Sequence, residues 1–205
     1  MKYKDTALLV FAKAPIAGEV NTRLISHIGV DKATALQKDL IHSRLKTFIE
    51  SGLCHVQCWC SPDCDDDFFK ECHKTYDVDL FKQEGIDLGA RMSSAIQQSL
   101  EKFKHVVLIG SDAPALGVDQ LEKAINVLRD GDEIVLVPAE DGGYVLIGMN
   151  QHHAEIFLTV PWGSDRVLKK TRGNIIALGL KHHELDECWD IDRPDDYDRY
   201  LELIK

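Results

Sequence analysis

The sequence predicts an α/β fold, a three-layer α/β/α arrangement whose central sheet is mostly parallel and carries one antiparallel hairpin. Three observations predict it. The run His105-Val-Val-Leu-Ile-Gly110 is apolar without alternation, as expected of a strand covered on both faces. Several such runs are separated by segments with apolar residues at helical spacing, which is the rhythm of βαβ units. That rhythm breaks once, where Asp141-Gly142-Gly143 stands between two apolar runs and signals a hairpin.

At 205 residues the chain suits one domain, spanning 1–205, with enough length to bury a core without disulfide or metal staples. Acidic residues outnumber basic ones 34 to 24, giving a net charge of −10, and no Lys/Arg block is long enough to track a polyanion. Nucleic acid and anionic membrane are therefore excluded as expected partners. The N-terminal apolar run Ala7–Ala12 stops at Lys13, too short for a secretory core or a membrane span, so a cytoplasmic protein is expected.

In chain order, Ala7–Ala12 reads as the first buried strand and empties into Lys13-Ala-Pro-Ile-Ala-Gly18-Glu-Val-Asn-Thr22-Arg23. Gly18 lets the backbone come close to an anion there, while Lys13 and Arg23 would neutralise it. The loop is neither a Walker loop nor a dinucleotide turn, and a solvated surface loop is the competing reading. Asp31 can cap a helix over about Lys32–Glu50, with Leu36, Leu40, Ile41, Phe48 and Ile49 as its apolar stripe and Ser51-Gly52 as its end. A second strand follows at about His55–Cys60, then the acidic segment Asp63–Asp67 as a loop or helix start, and a short strand at Val78–Lys82.

Five of the six cysteines fall between Cys54 and Cys72. Their C-x₃-C-x-C-x₃-C spacing overlies a strand in which Cys58 and Cys60 share one face and Trp59 takes the other. Paired zinc knuckles are missing, so these read as reduced thiols, with a structural metal as the alternative.

Gln83–Asp87 is a glycine-punctuated loop entering a helix whose expected core residues are Leu88, Met92, Ala95, Ile96, Leu100 and Phe103. Arg91 lies off that stripe near the helix start, where a cation opposes the macrodipole unless an anion binds nearby. The strand at His105–Gly110 then ends in Ser111-Asp112-Ala-Pro114. Ligands of open α/β sheets bind at the carboxyl ends of strands, so Asp112 stands where a metal-bound phosphate would be handled, although an Asp of this kind also suits a plain turn. A helix over Val118–Arg129 precedes the hairpin strands Glu133–Pro138 and Tyr144–Gly148. A short helix near His152–Leu158 and a helix capped by Ser164 and reaching about Ile176 follow. Asp192 and Pro194 mark a last helix start, and Asp190 and Asp192 alternate on an extended segment and so share a face.

Together, F-A-K-A-P-x-x-G-x-V-x-T-R-L at Phe11–Leu24, Q-x-G-x-D-L-G-x-R-M at Gln83–Met92, G-S-D-A-P at Gly110–Pro114, P-A-E-D-G-G-Y at Pro138–Tyr144, W-G-S at Trp162–Ser164 and D-I-D-R-P-D-D at Asp190–Asp196 resemble the DUF2064 family. This group is also described as arsenosugar-biosynthesis-type glycosyltransferases, within the nucleotide-diphospho-sugar transferase superfamily of GT-A fold. The resemblance implies that Ala12, Lys13, Gly18, Thr22, Arg23, Arg91 and Ser111 contact the nucleotide and its phosphates. It implies Asp112 and Asp192 as ligands of Mg²⁺ or Mn²⁺. Glu140 and Asp141 become candidates to deprotonate an acceptor hydroxyl, and Gly142, Gly143, Tyr144 and Trp162 would border donor sugar or acceptor. The chain departs from the pattern at Asn21, where relatives often carry Lys, and at Val137, where they often carry Gly.

The expected function is metal-dependent glycosyl transfer from a nucleoside-diphosphate sugar to a small-molecule acceptor. A nucleotidyltransferase using an NTP and a phosphorylated small molecule, with release of pyrophosphate, is one alternative on the same fold. A non-catalytic nucleotide-binding protein is the other.

Overall fold

The computed structural model describes residues 1–204. In chain order the elements are β1 (Thr6–Lys13), a 3₁₀ turn (Thr22–Leu24), α1 (Ile25–Ile28), α2 (Val30–Ser51), β2 (His55–Ser61), α3 (Asp67–Tyr76), β3 (Asp79–Lys82) and α4 (Leu88–Leu100). There follow β4 (His105–Gly110), α5 (Val118–Arg129), β5 (Ile134–Pro138), β6 (Tyr144–Met149), a 3₁₀ turn (Ala154–Phe157), α6 (Val167–Ala177), β7 (His182–Glu184) and α7 (Pro194–Leu203). Among the described residues the strands form one sheet in the order β3-β2-β1-β4-β6-β5-β7, so β4 is central.

The unalternating strands are covered on both sides. Leu8, Val10, Ala12, Cys58 and Cys60 face a core shared with α2, α3 and α5, while Ala7, Leu9, Phe11 and Trp59 face a second core with α4 and α6. β1 pairs in parallel with β2 and β4, β2 with β3, and β5 with β7. The sense reverses only at β6, which pairs antiparallel with both β4 and β5. The Asp-Gly-Gly turn thus does what its sequence signals, and it inserts β6 between β4 and β5.

Several boundaries differ from the sequence reading. Asp31 is not the cap of α2: the helix starts two residues earlier, on Gly29, and Asp31 lies in its first turn, where its charge still favours the dipole. Ser164 does not cap α6, which begins at Val167. Its hydroxyl instead donates to the Pro161 carbonyl at 2.8 Å and accepts from the Arg166 amide at 3.3 Å, tightening the turn before the helix. Leu88 is not core but 45% exposed, because it opens α4 on the wall of an open cleft. Leu100 and Phe103 pack at the margin of their core, partly buried. Strand β7, three residues of His-His-Glu, carries no apolar pattern and so has no signature in the sequence.

The cysteines Cys54, Cys58, Cys60 and Cys72 are buried in the core beneath α2 and α3, and Cys64 is half-buried beside them. Burial pushes the Cys54 and Cys72 thiols up to about 12, so both are neutral at physiological pH. No helix among the described residues is long and apolar enough to cross a membrane.

Candidate functional site

A cleft of about 720 Å³ runs along the sheet edge where β1, β2, β3 and β4 end and β6 begins. It lies at the carboxyl ends of the parallel strands, where this class of sheet takes its ligands. Its walls gather Ala12, Lys13, Arg23, Arg91, Ser111, Asp112, Asp141, Gly143, Tyr144, Trp162 and Asp192 from the sequence-derived set. Gly18, Thr22, Glu140 and Gly142 do not line it.

Asp112 is carried by the turn after the central strand. Gly110 permits its orientation, because a Cβ on residue 110 would lie 2.3 Å from the Asp112 Oδ1. The loop is held from behind by Arg44, a buried residue of α2 whose Nη1 donates to the Ala113 and Leu116 carbonyls at 3.3 and 2.7 Å. On the other side the Ile191 amide donates to the Asp112 carbonyl at 2.9 Å. Ile191 turns its side chain into a small core with Leu24, Leu36, Leu40 and Trp189, which leaves Asp190 and Asp192 facing the cleft. Two acidic segments 80 residues apart in sequence are thereby fastened together at one rim.

The carboxylates crowd one another. Asp112 keeps surface open to the cleft, yet the protein packed around it, and then the Asp192 and Asp141 charges, raise its pKa above the ordinary value. Asp190 is pushed up to about 7 by burial first, then by Asp112, Asp141 and Asp192. Asp141 is exposed, and its Oδ1 accepts from the Gly143 amide at 2.8 Å, which fixes the side chain at the hairpin turn.

The cations already have partners. Lys13 Nζ donates to the Glu19 carbonyl at 2.7 Å, curling the loop back on itself. Arg23 is ion-paired with Asp192, so the residue expected on phosphate and the residue expected on metal meet each other. Arg91 Nε donates to the Gly85 carbonyl at 3.3 Å, and its guanidinium makes no ion pair among the described residues. Asn21, where relatives often carry Lys, has a left-handed backbone (φ 47°) and donates to the Ala33 carbonyl at 2.9 Å, tying the loop to α2.

The residues outside the cleft have structural explanations. Glu140 points away and pairs with Arg199 at 2.9 Å, so it is not positioned to deprotonate a ligand in the cleft. Gly18 and Thr22 lie exposed on the outer side of the first loop. Gly142 has φ 89°, and a Cβ there would meet the Asp165 carbonyl at 2.3 Å, so its role is to dock the hairpin turn on the segment before α6. Gly89 does similar work across the cleft: a Cβ on it would lie 2.6 Å from the Trp162 indole. Trp162 in turn meets the Tyr144 ring edge-on at 6.5 Å between centroids.

Gln83, Asp190 and Arg44 are the residues the sequence reading missed or left unassigned. Asp190 had a signal in its alternation with Asp192. Arg44 interrupts the apolar stripe of α2 between Ile41 and Leu45, a position where a cation needs a buried partner. Gln83 had its place at the head of the Q-x-G-x-D-L-G-x-R-M motif, but nothing local distinguished its side chain from that of any polar residue ending a strand.

A divalent ion fits this cleft in part. Asp112 and Asp190, raised first by burial and then by neighbouring carboxylates, mark a cluster short of positive charge, and Asp112 and Asp192 share its rim. Among the described residues no three His, Cys, Asp or Glu side chains form a ready-made metal cage. One or two carboxylates completed by phosphate oxygens and water is the set that Mg²⁺ ordinarily takes.

Comparison with known proteins agrees with this architecture. A solved structure from Desulfovibrio desulfuricans G20, provisionally assigned as a nucleotide-diphospho-sugar transferase, is 29% identical, with a TM-score of 0.84 over 93% of this chain and 83% of that one. A 4-diphosphocytidyl-2C-methyl-D-erythritol synthase from Anaerococcus prevotii is 12% identical, with a TM-score of 0.63 over 97% and 99% of the two chains. A cytidylyltransferase from Leptospira borgpetersenii is 15% identical, with a TM-score of 0.62 over 98% and 87%. The fold is that of the nucleotide-diphospho-sugar transferases. No curated protein matches the chain. The model of one family, described as an uncharacterized protein conserved in bacteria (DUF2064), matches residues 44–164. More than half of the chain, including the Asp112 turn and the hairpin, is thus covered by that model, and the chain belongs to the DUF2064 family.

Proposed function

We propose that this protein transfers a glycosyl group from a nucleoside-diphosphate sugar to a small-molecule acceptor. The observation that carries the proposal is the convergence of Asp112, Asp190 and Asp192 with Lys13, Arg23 and Arg91 in one cleft at the carboxyl edge of the sheet. Arg91 is open to an anion, and a ligand phosphate would compete for Lys13 and Arg23 with their present partners. Asp112 and Asp192 would hold Mg²⁺ or Mn²⁺, which supplies charge stabilisation on a departing diphosphate. Asp141, fixed by the Gly143 amide and open to the cleft, would accept the acceptor's hydroxyl proton. Tyr144 and Trp162 would give the sugar or acceptor an aromatic wall.

Two of the three cleft cations are already engaged, which weakens a triphosphate clamp and favours a diphosphate donor over nucleotidyl transfer. The test is a panel of nucleoside-diphosphate sugars with Mn²⁺ and small hydroxyl-bearing acceptors, read by release of nucleoside diphosphate and by thermal stabilisation. Release of pyrophosphate from an NTP in the presence of a phosphorylated small molecule would replace this reading by nucleotidyl transfer. Nucleotide binding with no turnover of any donor would replace it by a binding protein.

A further inference from the structure

We infer that Gln83 reads the nucleobase and selects one with an exocyclic amino group over its carbonyl counterpart; the inference rests on the cleft taking a nucleotide, as proposed above. Gln83 follows β3 directly and lines the cleft while being only 9% exposed. Its Nε2 donates to the Trp59 carbonyl at 2.8 Å and to the Ala12 carbonyl at 3.4 Å, bridging the ends of β2 and β1. Two carbonyls can be satisfied only by the NH₂ side of the amide, so the orientation of the group is decided by its neighbours. Oε1 is left as the one polar atom of the side chain without a protein partner, and it is not sealed from the cleft.

The backbone around Gln83 leaves this acceptor little freedom. Its amide donates to the Cys60 carbonyl at 2.9 Å. Two residues on, the turn folds against the start of α4, where a Cβ on Gly85 would lie 2.5 Å from the Arg91 backbone nitrogen. The helix so entered contributes Leu88 and Met92 to the cleft, and β1 contributes Phe11, giving apolar surface for the face of a planar ring. Apolar walls with a small number of fixed polar atoms are the usual make-up of a specific small-molecule pocket. The ends of β1 and β2 lie one and two strand spacings from β4, on the order of 5–10 Å from the turn bearing Asp112. A nucleoside with its phosphates by Asp112 and Arg23 can therefore extend its base towards Gln83.

A buried acceptor with no rotational choice accepts from an amino N–H and repels a carbonyl oxygen in the same position. Cytosine is thus favoured over uracil, and adenine over hypoxanthine, each pair having the same ring shape. The experiment is calorimetric titration of the wild-type protein, with Mn²⁺ present, by CDP against UDP and by ADP against IDP. The expected result is a preference on the order of tenfold for the amino-bearing member of at least one pair. A second measurement uses Gln83→Met, which keeps the side-chain length and removes the acceptor, and whose folding is checked by its melting curve. This variant should bind both members of the preferred pair equally. Equal binding of both pairs by the wild-type protein would overturn the role of Gln83 and leave the nucleotide reading standing. Preference for UDP and IDP, or a preference that survives in Gln83→Met, would overturn it as well. Failure of all four nucleotides to bind would overturn the proposed function and this inference with it.

Discussion

The two sides of the cleft have solved opposite electrostatic problems. On the loop after β1, Lys13 and Arg23 are exposed and paired, one with a carbonyl and one with Asp192. On the rim formed by the turn after β4 and the segment before α7, Asp112 and Asp190 are crowded by the surrounding protein and raised in pKa, although Asp112 keeps surface open to the cleft. The cationic side is at rest without a ligand, whereas Asp112 and Asp190 on the acidic side are disfavoured as anions by burial first and by neighbouring carboxylates second. The difference teaches that a ligand bringing a divalent ion would relieve the acidic rim. The same ligand's phosphates would have to compete for the cations.

The largest effect should come from Asp112→Asn, which removes a carboxylate from the acidic side at its most crowded point. Mn²⁺-dependent nucleotide binding should fall at least a hundredfold in calorimetry while the melting temperature stays the same or rises, since the charge removed is one the fold disfavours. Binding that does not change would mean that the acidic rim does not meet the ion. Gly110→Ala breaks the same feature indirectly. The added methyl displaces the Asp112 carboxyl, and metal-dependent binding should drop about tenfold, a loss of roughly 1.4 kcal/mol.

On the cationic side, Arg23→Ala should weaken nucleoside diphosphate binding several-fold and leave nucleoside binding nearly intact. Equal losses for both would show that Arg23 does not touch phosphate. The smallest effect concerns stability and pH. Asp190 ionises near 7 in the folded chain and near its ordinary value of 3.8 when unfolded. Between those values the unfolded chain has lost the proton and the folded one keeps it, so the group's contribution to stability declines as pH rises through that window. Asp190→Asn should therefore melt higher than the parent at about pH 8, with the gain shrinking towards about pH 4. A gain independent of pH would assign it to packing instead of charge.

Much of the fold was legible because its signals are local. An unalternating apolar run is buried on both faces wherever it lies, and β1, β2 and β4 follow their runs to within a residue or two. The extent of α5 and the hairpin between β5 and β6 were legible for the same reason, each having its own punctuation in Asp130-Gly131 and in Asp141-Gly142-Gly143. The residues that escaped depend on distant partners. Leu88 has the spacing of a core residue, yet it opens its helix on the wall of the cleft. Glu140 has the same chemistry as Asp141 one position on, but Arg199 on α7 turns it outward. β7 is a strand only because β5 offers it an edge to pair with.

By itself the sequence determined the α/β class, the covering of the strand at His105–Gly110 on both faces, and the alternation that turns Asp190 and Asp192 to one side. These follow from backbone geometry and from solvent exclusion acting over a few neighbouring residues. Only the tertiary structure decided that Arg23 would rest on Asp192, that Arg44 would hold the turn bearing Asp112, and that Gln83 would spend its amide hydrogens on β1 and β2. Each of these is a contact between atoms far apart along the chain, and the strand order of the sheet brings them within a few ångströms.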